Sequence, residues 1–221
     1  AVTNQFVNWK GNWYYFGNDG KALIFDQVIN GQHLYFDANG RQVKGGFVMN
    51  TDGSRSFYHW NTGDKLVSTF FTTGHDRWYY ADDKGNVVTG AQVINGQKLF
   101  FATDGKQVKG DFATNANGSR SYYHGATGNK LVSTFFTTGD NNWYYADAKG
   151  ELVVGEQTIN GQNLYFDQTG RQVKGATATN PDGSISYYDV HTGEKAINRW
   201  VKIPSGQWVY FNAQGKGYVS N

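Results

Sequence analysis

Three tripeptides carry residue types and spacing that could do chemistry: Gln42-Val43-Lys44, Gln107-Val108-Lys109 and Gln172-Val173-Lys174. Glutamine offers a donor and an acceptor, and lysine offers three donors. Two residues apart on a strand, the pair shares one face. It can hold a bound molecule by hydrogen bonds, or it can be a solvated strand edge. Recurrence alone does not decide, because a duplication copies both kinds of feature. Catalysis finds less support. Glycoside cleavage needs two opposed carboxylates roughly 5 to 10 Å apart. Here Asp37, Asp52, Asp82, Asp104 and Asp147 occupy turn positions that explain them locally. His33, His59, His75, His124 and His191 lack metal-ligand spacing, and no phosphate loop or nucleophile elbow occurs. The sequence therefore predicts a binding module without catalytic residues, metal or cofactor.

The elements that position these tripeptides follow from repetition. "STFFTTG" begins at Ser68 and Ser133, "WYYAD" at Trp78 and Trp143, and "ING" at Ile29, Ile94 and Ile159, each 65 residues apart. A shorter repeat of 21 or 22 residues lies inside, headed by Trp13, Leu34, Ser56, Trp78, Leu99, Ser121, Trp143, Leu164, Ser186 and Trp208. Ten units thus recur in three classes, here called Trp, Leu and Ser, and the Gln-x-Lys tripeptides belong to the Leu class. Each unit reads as an aromatic strand, a polar turn ending in glycine, and a second short strand. A lone hairpin is marginal in water, but stacked hairpins cover one another. The prediction is an all-β fold: a β-solenoid of ten tandem β-hairpins over residues 1–221, one elongated repeat domain with about three hairpins per turn. In the Gln-x-Lys slots the Trp class has Val87 and Thr89, and the Ser class Lys65 and Val67. The intervening Val43, Leu66, Val88, Val108, Leu131, Val153 and Val173 are expected to face the core.

Composition fits this reading. Aromatic residues make up 17%, with 29 glycines, 2 prolines and no cysteine. Disulfides and Cys-based metal sites are excluded. A net charge of +2 is too weak to argue for nucleic acid or an anionic membrane surface. No apolar run of membrane-spanning length occurs, so no membrane partner is expected. The repeats run to both ends, which points to a fragment of a longer protein.

The motifs "TGxxxINGQxLYFDxxGRQVKG" and "WYYADxKGxxVxG" resemble the glucan-binding repeats of bacterial glucansucrases of the dextransucrase type, along essentially the whole chain. They are also similar to choline-binding repeats of cell-wall hydrolases. The first resemblance implies a secreted or cell-surface module, monomeric, that binds α-glucan polymer or isomalto-oligosaccharides and keeps polymer near the parent enzyme's catalytic domain. The alternative is a cell-wall anchor reading choline. Choline capture needs an aromatic cage, and choline-binding repeats open with Gly-Trp. The matching positions here are Gly46-Phe47, Gly90-Ala91, Gly110-Asp111 and Gly155-Glu156, and no Gly-Trp pair exists.

A glucose ring needs an aromatic platform for its C–H face and polar groups at its rim. The glucan-binding resemblance implies that Gln42 and Lys44, Gln107 and Lys109, and Gln172 and Lys174 supply the polar side. The preceding Trp-class unit offers Tyr14 and Tyr15, Tyr79 and Tyr80, and Tyr144 and Tyr145 as platforms, with one of each pair expected in the core. Phe100 replaces the tyrosine found at Tyr35 and Tyr165, so the middle pocket is expected to differ.

Overall fold

The computed structural model describes residues 2–220, which form twenty strands paired consecutively as ten antiparallel hairpins. They fall into two compact units, Ala1–Val108 and Lys109–Asn221. In the first, β1 (Gln5–Trp9) pairs with β2 (Asn12–Phe16), β3 (Phe25–Ile29) with β4 (Gln32–Phe36), and β5 (Gly46–Met49) with β6 (Arg55–Tyr58). Next come β7 (Thr69–Thr72) with β8 (Trp78–Ala81) and β9 (Gly90–Ile94) with β10 (Gln97–Phe101). In the second, β11 (Asp111–Thr114) pairs with β12 (Arg120–Tyr123), β13 (Thr134–Thr137) with β14 (Trp143–Ala146), and β15 (Gly155–Ile159) with β16 (Gln162–Phe166). Then follow β17 (Ala176–Thr179) with β18 (Ile185–Tyr188) and β19 (Arg199–Lys202) with β20 (Trp208–Phe211). The all-β repeat architecture is the one expected, and no helix occurs among the described residues.

Turn chemistry sets the hairpins. Asn95 and Gly96, the two residues between β9 and β10, have φ of 52° and 77°. Positive φ at both central positions is the type I′ geometry that matches strand twist. After each hairpin comes a further turn, closed in several copies by an acidic side chain. Asp82 Oδ1 accepts the N–H groups of Lys84 and Asn86, and Asp147 Oδ1 those of Lys149 and Glu151. Asp37 does the same with Asn39 and Arg41, Asp104 accepts from Lys106, and Asp52 accepts from Ser54 in the turn inside its own hairpin.

The residues after each turn join one hairpin to the next. The Val87 N–H donates to the Arg55 carbonyl of the preceding hairpin at 2.7 Å, and the Val88 N–H donates to Tyr80 of its own at 3.0 Å. This corrects the expected alternation of a buried middle residue between exposed neighbours. Val87 belongs to the cluster of Phe57, Phe71, Tyr79 and Ala81, while Val88 packs on Ile94, Leu99 and Phe101. The tail runs between two cores, so consecutive side chains both find apolar surroundings. Gln107 and Gln172 occupy the same slot as Val87 and Leu152, and are only 7% and 8% exposed. They are not residues of a solvated edge.

Among the described residues, each unit holds three such clusters. In the first they form around Leu34 and Phe36, Phe57 and Phe71, and Leu99 and Phe101. In the second they form around Phe136 and Tyr144, Leu164 and Phe166, and Val209 and Phe211. Arginines add longer struts: Arg55 lies 4.4 Å over the Phe47 ring and donates to the Asp104 carbonyl, and Arg120 does the same with Phe112 and Thr169.

Candidate functional site

The tail hydrogen bonds decide which residues meet. The Gln172 N–H donates to the Trp143 carbonyl at 2.7 Å, and the Gln42 N–H to the Trp13 carbonyl at 2.8 Å. Each Leu-class tail is therefore pinned against the head tryptophan of the preceding hairpin. In the second unit the result is a pocket of about 430 Å³, lined among others by Trp143, Arg171, Gln172, Lys174, Val190 and His191. The Lys174 ammonium lies 5.5 Å from the Trp143 ring centre and 3.5 Å from the His191 carbonyl. In the first unit the Lys44 ammonium lies 5.4 Å from the Trp13 ring centre and donates to the Asn61 carbonyl at 3.0 Å. Gln42 Nε2 donates to the Thr62 carbonyl at 3.3 Å, leaving its oxygen to accept.

In the middle copy the Gln107 N–H donates to Trp78 in the first unit. Lys109 opens the second unit and reaches the Ala126 carbonyl.

The glutamines also have a packing role. A Cβ at Gly63 would run into the Gln42 amide, and one at Gly193 into the Gln172 amide. The turn of the following hairpin thus rests on the glutamine.

The tyrosines lie elsewhere. Tyr79 and Tyr144 are 7% and 8% exposed and stack on Phe71 and Phe136 at 5.3 Å, so protein covers a face of each ring. Tyr15, Tyr80 and Tyr145 pack against the clusters of the following hairpins. Tyr14 is half-buried beside Gly40 and Trp9. Tyr35 and Tyr165 pack on Tyr58 and Tyr188. The aromatic group beside Gln-x-Lys is the head tryptophan, which heads its class in step with every Gln-x-Lys and so was visible in the repeat.

A second polar cluster lies in the second unit, where Glu156 accepts from the Tyr188 hydroxyl at 3.2 Å and pairs with Lys195. The Lys195 hydrogen bond holds the Glu156 carboxyl below its ordinary range. Burial first, and then the Glu156 charge, push the Tyr188 phenol well up. In the first unit Tyr58 donates to Asp26 at 3.1 Å in the same way. Among the described residues no group of His, Asp and Glu could hold a metal ion.

The choline-binding repeat family matches residues 27–70, 88–135 and 153–200, more than half of the chain. The chain belongs to the choline-binding repeat family. The Trp-class hairpins of this family member match a related cell wall binding repeat, over residues 4–22, 68–87, 133–152 and 198–216. Glucosyltransferase-S of Streptococcus mutans is 41% identical over 215 residues, covering 97% of this chain and 15% of that protein. Glucosyltransferase-I of the same organism is 46% identical over 192 residues, or 86% of this chain and 13% of that protein. The chain thus spans a small fraction of the relatives it matches. Choline binding protein F from Streptococcus pneumoniae superposes with a TM-score of 0.68 at 20% identity, covering 96% of this chain and 77% of that one. The modular autolysin LytC of the same organism gives 0.65 at 16%, covering 99% and 49%. The fold is that of the choline-binding repeat β-solenoids, and the domain is a non-catalytic carbohydrate-binding repeat module.

Proposed function

We propose that this domain binds α-glucan, a dextran-like chain of α-1,6-linked glucose, at the junctions between Trp-class and Leu-class hairpins. The head tryptophan is the platform for the sugar's C–H face, and glutamine and lysine hold the hydroxyl rim. Stacking contributes on the order of 1 kcal/mol, and each hydroxyl contact about as much. A single pocket is therefore weak, and a polymer reaching several gains avidity. We place the domain in a secreted, cell-surface glucansucrase, where it keeps polymer near the catalytic domain.

The observation that carries this reading over choline is the lysine. The faces of Trp13 and Trp143 already have an ammonium 5.4 and 5.5 Å from the ring centre. Quaternary ammonium recognition relies on that same electrostatic site, so a resident cation repels choline. It leaves N–H donors for a neutral, hydroxylated ligand. Affinity electrophoresis tests this. Dextran in the gel should retard the domain, and Trp13→Ala with Trp143→Ala should restore most of the mobility. Retention on a choline column with no retardation by dextran would reject the proposal.

A further inference from the structure

The junctions that carry Gln-x-Lys differ at one wall. In the second unit that wall includes Val190. Two long repeats earlier the residue is Trp60, which is 45% exposed. The two side chains occupy the same place. A Cβ on Gly175, next to Lys174, would lie 3.0 Å from Val190 Cγ2, and a Cβ on Gly45, next to Lys44, would lie 2.7 Å from Trp60 Cδ1. The absence of a side chain at Gly45 is what admits the indole. Trp60 is held from behind by Phe57, with ring centres 5.0 Å apart, and by His59 at 5.7 Å. Lys44 ties this turn to the platform, since its ammonium is over Trp13 and bonded to Asn61, the residue after Trp60.

We infer that Trp60 is a specificity-determining residue that makes the pocket in the first unit a two-indole site, whereas Val190 leaves the pocket in the second unit with a single platform. The inference rests on the sugar-binding reading above. A glucose unit at the first site has one face on Trp13 and an edge or the next glucose against Trp60. At the second-unit site Val190 offers only a short aliphatic contact. One extra aromatic contact corresponds to roughly three- to tenfold in affinity.

Indole N–H resonances of the seven tryptophans report the sites separately in a titration of the 15N-labelled chain with isomaltotriose. The Trp13 midpoint should come at a roughly three- to tenfold lower concentration than that of Trp143. Trp60→Val should raise the Trp13 midpoint to the Trp143 value and leave Trp143 unmoved. Val190→Trp should lower the Trp143 midpoint by the same factor, and Gly175 leaves space for the larger ring. Equal midpoints in the parent chain, or a Trp13 midpoint indifferent to Trp60→Val, overturn the inference while leaving the glucan reading intact. If neither indole responds to the sugar, the glucan reading fails and takes the inference with it.

Discussion

Tyr188 and Lys195 converge on the Glu156 carboxylate, and that convergence has a definite pH signature. The Glu156 carboxyl is held low, chiefly by the Lys195 hydrogen bond. A carboxylate with a depressed folded-state pKa adds stability above its unfolded value, about 4.3, and loses it as pH falls through the folded value. The Glu156 side chain is 55% exposed, so solvent screening limits the effect to about 1 kcal/mol or less. Urea midpoints taken at pH 7 and in acid should therefore fall further for the parent chain than for Glu156→Gln. A Glu156→Gln variant with the same acid loss would remove the ion pair from the account. The same scale explains why the aromatic side of the proposed sugar site was harder to read than its polar side. Gln172 and Lys174 stood out because their slots hold Val, Leu or Thr in the Trp class. The tyrosines beside Trp143 drew attention as amphipathic rings, but Tyr144 is absorbed by Phe136 and Tyr145 by the Ile159 cluster. Which ring remains available depends on a backbone bond from Gln172 to Trp143, and a pattern of side chains does not disclose such a bond.

Among the elements, hairpins and turns were legible and tails were not. Asn-Gly pairs and Asp-x-x-Gly turns specify local geometry through residues that tolerate positive φ or accept nearby N–H groups. Such signals are complete within a few residues. The tail after each turn bonds alternately to two different hairpins, so the period-two rule that places Val153 inward and Leu152 outward fails. Leu152 is 8% exposed and joins the Phe136 cluster, while Val153 packs on the next one. The turn glycines feel this crowding. Gly150, with φ of 79°, has the Leu131 carbonyl oxygen 2.9 Å from where a Cβ would stand, whereas Gly118, with φ of 84°, has open space. Gly118→Ala should incur only the left-handed backbone cost, about 1–2 kcal/mol. Gly150→Ala should cost more, because the Leu131 backbone as well as the Lys130 side chain must move. Thermal unfolding of the two variants checks this, and an equal drop in Tm would mean that the turn yields freely.

For the molecule as a whole, core is distributed rather than central. Three separate apolar clusters serve each unit, built mostly by neighbouring hairpins. Stability in such an array approximates a sum of local units and nearest-neighbour interfaces. Calorimetry should therefore give a calorimetric enthalpy larger than the van't Hoff enthalpy, the sign of more than one cooperative block. Equality of the two would make the chain a single cooperative unit. The tail bond between successive hairpins has one further consequence, which concerns inheritance. A pocket belongs to a junction, with Trp143 on one hairpin and Gln172 and Lys174 on the next. Unequal recombination that gains or loses whole 65-residue blocks keeps every such junction in phase. A slip by a single hairpin would seat a Ser-class tail beneath a head tryptophan, placing Lys or Val where Gln and Lys belong. The array can thus change its number of pockets over generations, but only in steps of three hairpins.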